Sequence, residues 1–324
     1  MRPPLLTLAV LLLVQACAGA ATQTLGVPKT PRVLTPPTSA VNPTPAAIPQ
    51  GPVRVGAWTQ VVPTPAAPQR YTAEPFIDGN GQHSLTIRDS QTGRPLSLGD
   101  AEGNADLETI SDSYVIWRYA LIDHPLAPPR QSGLYAYDLR TSSEIVIRTG
   151  AGYIGDVHQD GDWITYVDNS DTYTMSLLAV RARNLATGED ILLSQTVPDQ
   201  RGHVPNGLHD VHDGLAAWSV QSPDPRQGVI GVLNLATRQS RFLKVPAVNG
   251  PYRISVSANY VVWSDSGCFG YDLSSNGLFS IPCVPPGWEG GQAIDLLAEN
   301  DHLEWHLASA PPGAAYFVAA VIRN

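Results

Sequence analysis

The sequence predicts an all-β fold built from one four-stranded unit repeated around six times. Three observations predict it. From about residue 53 a short pattern recurs at near-regular spacing. The 28 Gly and 29 Pro favour many turns and short strands over long helices. No stretch of ten or more residues after position 53 sustains a helical period.

The repeat has two parts. The first is a strand ending in an aromatic residue, seen as Val55-Gly56-Ala57-Trp58, Tyr114-Val115-Ile116-Trp117 and Trp163-Ile164-Thr165-Tyr166. It returns as Leu215-Ala216-Ala217-Trp218, Tyr260-Val261-Val262-Trp263 and His302-Leu303-Glu304-Trp305, and the final aromatics are spaced by 59, 49, 52, 45 and 42 residues. The second part is a turn: Asp89 to Gly93, Asp138 to Ser142, Asn184 to Gly188, Asn234 to Arg238 and Asp272 to Asn276. Asp and Asn bond the backbone just ahead of them, and Gly and Asn accept positive φ, which suits a hairpin. Alternating strands flank each turn, as Leu134-Tyr135-Ala136-Tyr137 and Glu144-Ile145-Val146-Ile147 do. A further strand precedes each aromatic one, for example Tyr153 to His158, Gly207 to His212, Arg253 to Ser257 and Ala293 to Leu297. Four strands in about 45 residues is the size of a propeller blade. The 272 residues from 53 to 324 give six blades, with five as the alternative because the first unit is the most degenerate.

These units resemble the blades of TolB-like and related six-bladed propellers, in which Trp-Ser-Asp and Tyr-Asp-Leu strings recur. Trp263-Ser264-Asp265 followed by Tyr271-Asp272-Leu273 is the nearest copy here. The resemblance covers residues 53 to 324 and implies architecture, since propellers host many activities.

The last unit offers Tyr316 to Ile322 as a third strand, and Ile322-Arg323-Asn324 lines up with Ile87-Arg88-Asp89 at the turn. A fourth strand is missing there, and an open edge is costly. An N-terminal segment is therefore expected to close the ring, either Val53 to Val62 or Pro31 to Leu34. A last blade of three strands is the alternative.

The 324-residue chain opens with MRPPLLTLAVLLLVQACAG. The apolar run Leu5 to Val14 is too short for a comfortable membrane span and suits a signal-peptide core. It ends in Val14-Gln15-Ala16-Cys17, which resembles a bacterial lipobox. The resemblance implies a signal peptide over 1–16 and a lipidated Cys17 as the mature N-terminus, so the protein is a palmitate-bearing lipoprotein anchored to a membrane of the cell envelope. The alternative is an ordinary secretory signal cut near position 20. Residues 17–52 carry the lipidated Cys and a tether rich in Pro, Thr and Ala, where extended polyproline conformers should dominate. At about 3.1 Å per residue it reaches on the order of 100 Å. The propeller domain occupies 53–324.

Charge excludes one class of partner. With 20 Lys and Arg against 29 Asp and Glu the net charge is −9, and a nucleic-acid ligand needs a basic face. The chain reads as a monomer.

Cys268 and Cys283 flank one hairpin. A loop over Ser274 to Gly277 would set them directly opposite, within disulfide reach in an oxidising compartment. Two free thiols are the alternative.

The sharpest polar cluster is Asp156-Val157-His158 with His209-Asp210-Val211-His212. Inner strands of a propeller line its channel, and alternate residues share a face. Asp156 and His158 are then expected to point together, as are Asp210 and His212, with His203 nearby. Such a set suits a divalent metal such as Zn²⁺, the one cofactor the residues suggest, or acid–base work. Bonding between blades is the plainer role, and the matching positions in other units hold Thr109, Ser255 and Asp295. No catalytic residue is marked otherwise: Gly-x-Ser-x-Gly and His-Glu-x-x-His are absent from the sequence. Asp168-Asn169-Ser170-Asp171 reads as a solvated loop rather than a calcium site. Trp288, in a Pro/Gly-rich loop, and the insertion from Ala120 to Ser132 are candidate partner contacts.

Two functions follow. The first is a lipid-anchored, extracytoplasmic, non-enzymatic binding module for a protein, peptide or glycan. The second is a propeller enzyme, a glycan hydrolase or lyase, working through the channel His and Asp residues.

Overall fold

The structure is a computed structural model. It describes residues 32–33, 53–62, 69–77, 83–98, 103–121, 132–150, 152–170, 178–196, 207–220, 227–246, 253–264, 267–283, 294–307 and 316–323. All regular structure among them is β, in six sheets. Residues 32–324 form one compact unit; the signal over 1–16 and the tether over 17–52 lie outside the described residues except at Arg32–Val33.

Each sheet is one blade, numbered here in chain order. Blade 1 holds Tyr71–Ile77, His83–Asp89 and Pro95–Leu98. Blade 2 holds Gly103–Ile110, Tyr114–Leu121, Ser132–Asp138 and Ser143–Gly150. Blade 3 holds Ile154–Asp160, Trp163–Asp168, Leu178–Asn184 and Asp190–Thr196. Blade 4 holds His209–His212, Leu215–Val220, Gln227–Asn234 and Ser240–Pro246. Blade 5 holds Arg253–Val256, Tyr260–Ser264, Cys268–Asp272 and Gly277–Ile281. Blade 6 holds Ile294–Ala298, His302–Leu307 and Tyr316–Ile322. Within a blade the strands pair antiparallel in chain order.

The sixth blade is completed from the N-terminal side. Arg54–Val55 and Thr59–Val61 both pair antiparallel with Tyr316–Ile322, in the registers Val55 to Val321 and Gln60 to Phe317. The amide of Gly56 donates to Ala320 O at 2.8 Å. Of the two segments expected to close the ring, Val53 to Val62 does so. The other takes a different place: Arg32–Val33 adds a parallel strand to the outer edge of blade 3, Arg32 opposite Ile191. The closing role also corrects the repeat series, because Val55 to Trp58 is not the aromatic strand of the first unit. That strand is Tyr71–Ile77, whose Tyr71 faces Asp89 as Tyr114 faces Asp138 and Tyr260 faces Asp272. The 59-residue gap after Trp58 marks the change of role.

The core lies between blades rather than within them. Tyr114, Ile116, Ile154 and Tyr166 join blades 2 and 3. Val180, Leu193, Val211 and Trp218 join blades 3 and 4, and Ile230, Leu243, Ile254 and Trp263 join blades 4 and 5. Blades 2 to 5 are apolar on both faces because each face meets a neighbour. Inner strands add polar links to the next backbone. Glu108 accepts from Asp156 N at 3.0 Å and Asp160 from Gly214 N at 3.2 Å. Asp210 accepts from Val256 N at 2.9 Å and Ser255 Oγ from Ala298 N at 3.1 Å.

The turn Asp residues act as the sequence suggests. Asp272 Oδ1 accepts from the amides of Ser274 and Ser275 at 2.8 and 3.2 Å, and Arg323 donates to Oδ2 at 2.7 Å while lying over the Tyr260 ring. Burial pushes this carboxyl upward, but the Ser274 hydroxyl, Arg323 and the two amides outweigh it and hold the pKa at about 2. The folded value lies below the ordinary carboxylate value, so the link stabilises above pH ~4 and is lost as pH falls through about 2. Asp272→Asn is expected to remove about 2 kcal/mol at neutral pH and to flatten the acid limb of stability between pH 4 and 2. Urea midpoints measured across that range check it; an unchanged acid limb contradicts the assignment.

Cys268 and Cys283 form a disulfide with Cα atoms 5.1 Å apart. The register differs from expectation: Cys268 faces Ile281, and Cys283 lies two residues further on. The turn begins at Leu273 because Asp272 captures the following amides, which shifts the pairing by two. Asp168 also departs from expectation. It is buried at a strand end, with Arg181 Nε at 2.5 Å and Arg148 Nε at 3.1 Å, and Asn169 and Ser170 are buried beside it. A strand end enclosed by two arginines is no solvated loop; Asp171 lies outside the described residues.

Candidate functional site in the channel

The inner strands of blades 2 to 6 neighbour one another in order and surround the axis. Chain direction divides the two faces of the ring. Most connections of six residues or more, including 122–131, 197–208, 221–226, 247–252, 282–293 and 308–315, join strand ends on one face, whereas 34–53 and 62–70 run between strand ends on opposite faces. The opposite face carries turns of five residues or fewer, such as Gly161–Asp162, Asp213–Gly214 and Leu273–Asn276. Inner strands start on the long-connection face, so Asp156 and His209 lie towards it and His212 lies at the other end.

The structure redistributes the expected quartet. His158 Nδ1 meets Asp210 Oδ1 at 3.1 Å, across the joint between blades 3 and 4. The other oxygen of Asp210 is held by Val256 N in blade 5. A carboxylate fixed on both sides accepts from Nδ1, so His158 carries its proton there and opens Nε2. Burial disfavours the charged ring, but the bond and charge of Asp210, with Asp156 adding, raise its pKa above the ordinary imidazole value. Its side chain is 39% exposed.

Asp156 does not share this contact. A bulge between Gly155 and His158 breaks the alternation, and Asp156 adopts φ of 57°. Its Oδ2 lies 3.7 Å from His209 Nε2. His212 stands apart, with Nε2 3.7 Å from Asp213 and 3.8 Å from Glu299. His203 and Trp288 lie outside the described residues, as do 122–131 of the Ala120 to Ser132 insertion.

His209 is the residue that alternation hid. Strict alternation sets it on the face away from Asp210 and His212, yet it enters the cluster from the blade interface. Its side chain is fully buried, its Nδ1 meets Thr165 Oγ1 at 2.9 Å, and its ring stands edge-on to His158 with centroids 5.0 Å apart. Burial, and the neighbouring His158, push its pKa well below the ordinary value, so the ring is neutral. Glu108 sits on a matching bulge in blade 2, and burial raises its carboxyl pKa. The signal for His209 was present in the run His209-Asp210-Val211-His212; what was missing was the geometry of the blade joint.

No family model matches the sequence, and no curated protein matches it. Solved structures of similar fold do. The propeller domain of the trilobed protease from Pyrococcus furiosus, described as having an open velcro topology, is 8% identical over 84% of each chain, with a TM-score of 0.49. By its own six sheets and the order of their inner strands, the chain folds as a β-propeller. An oligogalacturonate lyase in complex with manganese is 12% identical over 78% of this chain and 74% of that one, with a TM-score of 0.45. A prolyl endopeptidase structure is 15% identical over 82% of this chain, which spans 39% of that longer protein, with a TM-score of 0.50. At these identities the likeness speaks of fold alone.

Proposed function

We propose that this propeller is a lipid-anchored, extracytoplasmic binding module that offers its long-connection face to a protein, peptide or glycan. The asymmetry of the ring carries the reading. One face is closed by short turns, several of them capped by Asp or Asn, and the other gathers most of the long connections, where binding residues concentrate on a rigid scaffold. The lipobox-like Val14-Gln15-Ala16-Cys17 and the Cys268–Cys283 disulfide both fit a compartment outside the cytoplasm.

Anchoring has its own test. Cys17→Ser is expected to abolish palmitate incorporation and to move the protein from the membrane pellet to the soluble fraction. Equal labelling of the variant removes the anchor from the reading. Binding is tested by probing immobilised protein with glycan and peptide arrays. Shortening 197–208 and 284–293 should abolish capture, whereas replacing the Leu273–Asn276 turn should leave it intact. Capture that survives the shortened connections contradicts the proposed face.

The His158–Asp210 pair favours a second reading, a glycan hydrolase or lyase. An imidazole oriented by a carboxylate has the arrangement of a general base. Turnover of a polysaccharide that is lost in His158→Ala would support it.

A further inference from the structure

The channel cluster contains an unanswered donor set. His209 is fully buried, and its Nε2 has no hydrogen-bond partner among the described residues. A buried polar atom left unmatched costs about 1–3 kcal/mol. The carboxylate facing it, Asp156 Oδ2, is 3.7 Å away, beyond hydrogen-bond length.

The two imidazoles are also held in a particular way. Each has its Nδ1 engaged by an oxygen, His158 by Asp210 and His209 by Thr165. Histidines that ligate a metal are fixed like this, with one nitrogen oriented by an acceptor and the other presented to the ion. The rings are 5.0 Å apart and nearly perpendicular, at 80°. Two imidazoles binding one zinc-sized ion through Nε2 at tetrahedral angles set their centroids about 5 Å apart. Asp156 supplies the third donor. Its side chain is 54% exposed and sits on a bulge, so the carboxylate can turn without disturbing the core.

We propose that His158, His209 and Asp156 form a zinc-type divalent metal site in the channel between blades 3 and 4, with Asp210 and Thr165 orienting the two rings. Two imidazoles and one carboxylate leave a further position for water or a ligand group. Among the described residues no three such side chains already surround one point. Binding therefore draws Asp156 and the channel-facing His158 toward the fixed His209. The site goes beyond the loop-face reading, and it stands or falls independently of it.

The test uses the full chain purified without a histidine tag, stripped with chelator and titrated with Co²⁺ and Zn²⁺. One ion per chain is expected, with the visible bands of tetrahedral Co²⁺ that Zn²⁺ displaces. His158→Ala and His209→Ala should each abolish the bands, and Asp156→Asn should weaken binding. Asp210→Asn should weaken it about 10–100-fold through lost orientation, while His212→Ala leaves it unchanged. Far-UV circular dichroism monitors folding. Should His209→Ala unfold, His158→Gln at the half-exposed ring decides in its place. Absence of a stoichiometric ion, or binding that survives the His158 and His209 substitutions in folded protein, overturns the proposal and leaves the buried nitrogen to water.

Discussion

Unpairing the closing segment should abolish the cooperative unfolding of the ring. In the full chain, Val55→Asp with Trp58→Ala places a charge where Val55 packs, and removes the ring that meets the cluster of Tyr260, Leu303 and Trp305. Fully burying a Val- or Phe-sized side chain contributes about 1.5–3 kcal/mol, and Val55 and Trp58 are each partly buried. Losing two such contacts, with the strand pairing of Arg54–Val55 and Thr59–Val61, is expected to cost on the order of 4 kcal/mol or more. That is a large share of the 5–15 kcal/mol available to a typical domain. Tyr316–Ile322 would become an exposed edge with Trp305 and Phe317 behind it, so aggregation should accompany the loss. A chain starting at residue 63 should behave the same way and be rescued by a peptide of residues 53–62 supplied in trans. Urea denaturation followed by tryptophan fluorescence reads the effect. An unchanged midpoint in the double variant means that the ring does not depend on this clasp.

Gly231→Ala should be nearly as damaging, although it adds a single methyl. Gly231 faces Trp218 on one side and Phe242 on the other, and the two rings meet edge-to-face with centroids 6.0 Å apart. A Cβ at Gly231 would lie 2.3 Å from Cε2 and Cζ2 of Trp218, a side chain with no exposed surface. Something must move, and both rings are confined between blades 3 and 4. Overpacking of this kind costs about 1–3 kcal/mol, and a rigid indole places this case at the upper end. Blade 5 repeats the device, since a Cβ at Gly270 would lie 2.2 Å from Phe279 Cζ. A second substitution, Trp218→Leu, should make Gly231→Ala nearly neutral in a double-mutant cycle. Additive costs in that cycle would show that the glycine is required for another reason.

The repeat made the architecture legible because each unit must bury both of its faces. The same apolar strand, Asx turn and paired strand recur wherever a blade meets its neighbours. Tyr114, Tyr260 and Asp272 could be placed from the sequence since their roles are local: they start a strand, end one, or bond the next two amides. Positions that depend on a break in the local rule were misread. The bulge at Asp156 changes which face each residue takes, and Asp272 pulls its hairpin in by two residues, so Cys283 reaches Cys268 from beyond the strand end. Trp58 was misassigned because an aromatic after an apolar strand serves equally well in a second strand and in a closing one.

By itself the sequence determined what each strand could bury: the period, the turns and the apolar faces specify blades that must pack side by side. Tertiary structure decided which residues meet across those faces. His209 reaches Thr165 and approaches Asp156 only because blades 3 and 4 pack at one particular offset, and Val53 to Val62 closes the ring only because the first and last parts of the fold come together in space. Local chemistry is written in neighbouring residues, whereas contacts between strands some 50 or 260 residues apart depend on the packing of the whole ring.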